Sequence, residues 1–174
     1  MADKKVLLIE ADLINPSLTK IVSSVKAKGL SDLYLGQVDV EECYQRTYIK
    51  NLYLVTAGQN VISGRKSDRV WHNESLAKLL TKAKLDFDYV LIDLPPVLMV
   101  PESLAVAQKA DGVILAAMVN KTDKKACQKL ISEFSQLQIP FLGTIVNGVS
   151  PQHSYYASYY YSSYYNTYKG TGKV

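Results

Sequence analysis

Five short apolar runs recur along the chain and set its architecture. They are Val6-Leu7-Leu8-Ile9, Leu52-Tyr53-Leu54-Val55, Tyr89-Val90-Leu91-Ile92, Val113-Ile114-Leu115-Ala116-Ala117 and Leu142-Gly143-Thr144-Ile145-Val146. None alternates apolar with polar. Runs that are apolar on both faces suit strands of a parallel sheet covered by helices. Between them lie segments of helical period, about Ser17–Lys28, Glu74–Leu85, Glu102–Lys109 and Lys124–Leu137. The last places Ala126, Leu130, Ile131 and Phe134 on one face. Strand–helix alternation of this kind predicts an α/β fold with a doubly wound, mostly parallel sheet.

The pattern stops after Val149. From Ser154 to Tyr168 the residues are almost wholly Tyr, Ser, Ala, Asn and Thr, with no large aliphatic side chain to anchor a core. Two regions follow: a domain over 1–149 and a disordered, low-complexity tail over 150–174. Tyr155, Tyr156, Tyr159, Tyr160, Tyr161, Tyr164, Tyr165 and Tyr168 fall within that tail and read as phosphoacceptors. The alternative is a sticky Tyr/Ser tract with no enzymology.

Composition narrows the functional classes. The 174 residues suffice for one domain with a real core. A net charge of +4 gives no basic stripe of the sort that holds nucleic acid. Cys43 and Cys127 lie far apart, without metal-ligand neighbours, and read as reduced thiols of a cytoplasmic protein. His72 and His153 stand alone, so neither a zinc site nor a Ser-His-Asp triad can be assembled. Met-Ala-Asp-Lys-Lys leads straight into the first strand, and no stretch approaches a charge-free span, so any membrane link is expected to come through a partner.

Two strand ends carry acids. The first run continues into Glu10-Ala11-Asp12, the third into Asp93-Leu94-Pro95-Pro96. Ligands of α/β sheets sit beyond the carboxyl ends of strands. An apolar strand ending in Asp is one way to hold a magnesium water shell beside phosphates. Asp93 suits that role, and Asp12 suits a metal-linked or proton-accepting carboxylate. The alternative is that both acids merely cap the following helices.

These segments resemble the cytoplasmic kinase domain of the bacterial tyrosine kinases of capsular and exopolysaccharide synthesis, which have the P-loop fold of the deviant-Walker, MinD/ParA-like type. The resemblance rests on Lys5–Leu13, Gly29–Gly36, Asn51–Gly58, Asp86–Val97, Ala110–Val113 and Leu142–Val149, followed by the tyrosine cluster. It implies ATP and Mg2+ as cofactors. Asp93 and Asp12 would act in catalysis and, with Glu10, at the metal, while Asn147 would contact adenine. It also implies autophosphorylation of the tail tyrosines. A membrane-anchored polysaccharide co-polymerase or chain-length regulator would be a partner, alongside a homo-oligomer or a complementing kinase chain.

Several positions depart from the family. No Gly-x-x-x-x-Gly-Lys-[Ser/Thr] occurs in the 174 residues, and Gly58 to Ser67 is a decoy with wrong glycine spacing and Arg65 inserted. Glu10 stands where the family has aspartate, Ile14 where it has a basic residue, and Leu94 where it has threonine. Losing three or four charged hydrogen bonds to phosphates removes roughly 5–10 kcal/mol, about four to seven powers of ten in affinity. The expectation is an N-terminally truncated or split kinase domain without the phosphate loop that the family carries upstream of the first matching strand. A non-catalytic phosphoacceptor subunit working with an intact kinase is the alternative, and a partitioning-type ATPase is a third reading that the tyrosine tail speaks against.

Overall fold

The structure, a computed structural model, describes residues 3–18, 27–59, 73–101 and 103–149. The tail at 150–174 and most of the helix expected over Ser17–Lys28 lie outside the described residues, as does the decoy segment from Asn60 to Ser67. The chain divides into two compact units, Met1–Lys109 and Ala110–Val174. The division falls inside the span expected to form one domain.

The first unit holds β1 (Val6–Glu10), α1 (Leu30–Tyr34), α2 (Val40–Cys43), β2 (Gln45–Arg46), β3 (Leu52–Val55), α3 (Glu74–Asp86), β4 (Tyr89–Asp93) and α4 (Ser103–Ala107). Its sheet has the order β2-β3-β1-β4. β1 pairs in parallel with β3 and β4, and the short β2 pairs antiparallel with β3. The connection from β1 runs to β3 on one side, and the next crosses back to β4 on the other. The order therefore reverses between β1 and β4, which makes their carboxyl ends the topological switch point where open α/β sheets bind ligands.

One face of this sheet builds the core. Leu7, Ile9 and Val55 are buried there with Leu76, Leu79 and Ala83 of α3. α3 starts because the Asn73 side chain accepts the Ser75 N–H at 2.9 Å. Its buried residues recur at helical spacing. It ends at Phe87, whose backbone is extended. That ring packs edge-on against Tyr44 and Tyr53, at 5.2 and 5.3 Å between centroids. Each fully buried Leu or Ile here stabilises the fold by about 1.5–3 kcal/mol.

The second unit pairs β5 (Val113–Met118) in parallel with β6 (Phe141–Asn147), joined through α5 (Lys124–Gln136). Asp123 caps α5 by accepting the Ala126 N–H at 2.8 Å. Leu130 and Phe134 of the expected apolar face are buried, and Ala126 and Ile131 are half-buried.

All five expected strands form, β3 with the expected bounds and the other four extended by a residue or two. They are mostly parallel, but among the described residues they make a four-stranded and a two-stranded sheet rather than one. β4 is consequently an edge strand although it is apolar on both faces, and Tyr89 and Leu91 are 58% and 54% exposed. α1, α2 and β2 had no sequence prediction. Each is five residues or shorter, too short to display a period.

Candidate functional site at the switch point

The carboxyl ends of β1 and β4 bring Glu10, Asp12 and Asp93 together. Glu10 lies in register beside Asp93, and the Ala11 N–H donates to the Asp93 carbonyl at 2.9 Å, which extends the pairing one step beyond the strands. Asp12 follows immediately. The expected grouping of the three acids is thus a direct result of strand register.

Their environments differ. The Asp93 side chain is exposed and no hydrogen bond or ion pair among the described residues reaches its carboxylate. Partial burial first, then the charges of Asp12 and Glu10, hold its carboxyl above the ordinary aspartate value. Asp12 is half-buried, and its Oδ1 accepts the Ile14 and Asn15 N–H groups at 3.1 and 2.9 Å. This turn occupies one oxygen; Oδ2 has no partner among the described residues.

Glu10 is fully buried, and its two oxygens accept the backbone N–H groups of Leu18 and, at 3.2 Å, of Ala57, which ties the ends of β1 and β3 together. The extra methylene relative to aspartate supplies the reach.

A second buried carboxylate, Asp32 on α1, escaped the sequence reading. It is 5% exposed. Its Oδ2 accepts the N–H of Gly29 at 2.9 Å and of Gln59 at 3.2 Å. Three consecutive amides after β3 therefore end on side-chain oxygens: Ala57 on Glu10, Gly58 on Thr56 Oγ1 and Gln59 on Asp32. The Leu30 and Ser31 N–H groups donate back to the Thr56 and Ala57 carbonyls, each at 2.9 Å. Gly58 has φ +95°, and a Cβ there would lie 2.2 Å from Ser31 Oγ. Gly29 is equally enclosed, with the Thr56 carbonyl 2.2 Å from where its Cβ would stand. The one available signal was the Gly29-Leu30-Ser31-Asp32 string, since Asp at the third helical position can reach back to the N-terminal amides.

At the start of the decoy loop, the amides of Gly58 and Gln59 donate to Thr56 Oγ1 and Asp32 Oδ2. Asn147 ends β6 in the second unit, where its carbonyl accepts the Val119 N–H at 2.9 Å. Among the described residues, no set of three or more His, Cys, Asp or Glu forms a metal cage. Magnesium needs no such cage: it keeps several waters and takes one or two carboxylates together with phosphate oxygens. Asp12 and Asp93 fit that mode. The described residues hold no glycine-rich phosphate cradle to match.

No helix among the described residues is long and apolar enough to cross a membrane. The fold is that of the P-loop NTPases. The "septum site-determining protein MinD complexed with Mg-ADP" from Pyrococcus horikoshii superposes with TM-score 0.66 over 84% of this chain and 60% of that one, at 20% identity. The kinase domain of the Escherichia coli tyrosine kinase ETK superposes with TM-score 0.79 at 25% identity, covering 87% of this chain and 58% of the other. In sequence, the tyrosine-protein kinase YwqD of Bacillus subtilis is 29% identical over 154 residues, 88% of this chain and 64% of YwqD. The tyrosine-protein kinase Wzc of Salmonella typhimurium is 29% identical over 146 residues, 84% of this chain but 20% of Wzc. The chain thus spans between a fifth and about two thirds of the length of these relatives. The model of the AAA domain family matches residues 1–141. This chain belongs to the AAA domain family, on the branch of the bacterial tyrosine kinases.

Proposed function

We propose that this chain serves as the kinase domain of a tyrosine-phosphorylation system governing capsular or exopolysaccharide synthesis. Asp93 and Asp12 would hold Mg2+, and the tail tyrosines would accept phosphate. The observation that carries this reading is the exposed Asp93 carboxylate at the switch point, raised first by partial burial and then by its acidic neighbours, and met by no cation among the described residues. Such a carboxylate favours a bound cation, which would offset the repulsion from Asp12. Magnesium, when bound, supplies neutralisation of phosphate charge. Asp12 is oriented for the metal by its own turn, through Ile14 and Asn15. Asn147 is offered as the adenine contact, and Tyr155, Tyr156, Tyr159, Tyr160, Tyr161, Tyr164, Tyr165 and Tyr168 as acceptors. The relatives named Wzc and YwqD, and the "succinoglycan biosynthesis transport protein ExoP" of Rhizobium meliloti, 26% identical over 144 residues, support the setting.

A second reading is favoured by one observation: β4 presents an apolar edge without a partner among the described residues. Here the chain is a phosphoacceptor or regulatory subunit that works with an intact kinase and a membrane-anchored chain-length regulator, in the cytoplasm beneath the membrane. No phosphate-transfer step is assigned to residues of this chain. One experiment separates the readings. The chain is incubated with ATP and Mg2+, alone and with an intact kinase, and tail phosphotyrosine is measured. Phosphorylation of the isolated chain that disappears in Asp93→Asn supports the first reading. Phosphorylation that requires the added kinase and survives Asp93→Asn supports the second. No phosphotyrosine in either mixture sinks both.

A further inference from the structure

The turn from Ala57 to Gln59 joins two buried carboxylates that belong to different elements. Asp32 reaches it from α1 and Glu10 from β1, while Thr56 Oγ1 fills the place between them. None of these three side chains touches solvent appreciably, at 5%, 0% and 2% exposure. Two residues beyond Glu10 lies Asp12, whose position the same stretch of backbone sets.

We propose that Asp32 is a positioning residue for the acidic site: it fixes the Ala57–Gln59 turn, the turn fixes Glu10, and Glu10 fixes Asp12 beside Asp93. The chain of contacts is continuous. Asp32 accepts Gln59 N–H, Gly58 N–H is held by Thr56, and Ala57 N–H is held by Glu10. Gly58 cannot relax to absorb a change, because Ser31 and Asp32 fill the space beside its α-carbon. Glu10 also accepts the Leu18 N–H, so the backbone from residue 10 to residue 18 is pinned at both ends, with the Asp12 turn in between. Buried polar networks of this kind are stiff because each unpaired member is costly. Groups that orient metal-bearing side chains change metal affinity about 10- to 100-fold when removed.

This inference rests on the reading of Asp12 and Asp93 as the magnesium carboxylates, and the test separates the two. Amide hydrogen exchange and Mn2+ binding, followed by the paramagnetic resonance of free Mn2+, are measured for the wild type, Asp32→Asn and Thr56→Val. Phe87→Leu serves as a control that lowers stability away from the turn. Asp32→Asn is expected to speed exchange at Gln59, Ala57, Ile14 and Asn15 by at least about tenfold. It is expected to weaken Mn2+ binding by about 10- to 100-fold. Thr56→Val, which keeps the shape and removes the oxygen, should do the same more weakly, and Phe87→Leu should do neither. Faster exchange confined to Gly29 and Gln59, with Ile14 and Asn15 unchanged, overturns the proposal and leaves Asp32 as a local helix cap. If the wild type fails to bind Mn2+ while the exchange effect still spreads to Ile14 and Asn15, the metal reading falls and the positioning role stands. Should Asp32→Asn not fold, Thr56→Val decides by the same criteria.

Discussion

Four carboxylates cluster at one end of the first unit's sheet, and they divide into two pairs. Glu10 and Asp32 are buried and bonded to backbone amides. Asp12 and Asp93 reach the surface, and Asp93 has no partner among the described residues. The carboxylate group is the same; the partners differ. A carboxylate enclosed by N–H donors stabilises the fold and has no chemistry left to offer. One held open beside another acid is costly to keep ionised, which is what makes it useful for a cation.

The largest break in this contrast should come from Gly58→Ala. The residue has φ +95° and no room for a Cβ. Left-handed strain and overpacking together should cost about 2–6 kcal/mol of unfolding free energy, read by urea denaturation. Retention of wild-type stability would mean that the amides around Gly58 are not the fixed feature described above.

Next in size, Cys43 tests the enclosure of the buried pair. Burial first, then the charges of Asp32 and Glu42, push its thiol up to about 12. A thiol raised in the folded state lends stability that is complete below its unfolded value of 9.0 and is lost as the pH climbs toward about 12. Native protein at pH 8 should therefore leave Cys43 unlabelled by a thiol reagent until denaturant is added. Labelling of Cys43 in the native state would show the region to be open.

The open pair makes a prediction of opposite sign. Asp93 is raised in the folded state, so its ionisation costs stability that is lost as pH rises through the folded value and stays lost at neutrality. Asp93→Asn should raise the melting temperature slightly in metal-free buffer at pH 7 and abolish any further rise on adding Mg2+. Asp12→Ala should lower it, because the Ile14 and Asn15 amides lose their acceptor, at about 0.5–2 kcal/mol. A fall in melting temperature for Asp93→Asn would show that the carboxylate is structural after all.

The smallest effect belongs to a third kind of carboxylate. Asp88 is paired with the exposed Lys4 ammonium at 2.7 Å, which holds the carboxyl below its usual range. Solvent screens this pair, so Lys4→Met should leave the melting temperature unchanged at moderate salt. A clear loss would mean that surface pairing matters more here than burial.

Much of the fold was legible because its signals are local. A run such as Val6 to Ile9 states both strand and burial on two faces, and the apolar period of Lys124 to Leu137 states a helix. Asp12 and Asp93 were legible because each follows an apolar strand directly. The roles of Glu10 and Asp32 were not, since the amides that claim them lie up to 47 positions away in the chain. Glu10 also shared the local signature of Asp12, an acid just past a strand, and nothing within the sequence told the two apart.

The sequence by itself determined the longer strands and helices, the family and the acids available, because periodicity and motif order are properties of neighbouring residues. The tertiary structure decided which acids were bound into the fold and which stayed open. Register sets that choice: Ala57 is carried to Glu10 by the pairing of β1 with β3, and Asp93 is set beside Glu10 by the pairing of β1 with β4. A hydrogen bond needs its partners within about 3 Å, and that distance is fixed only once the strands have met.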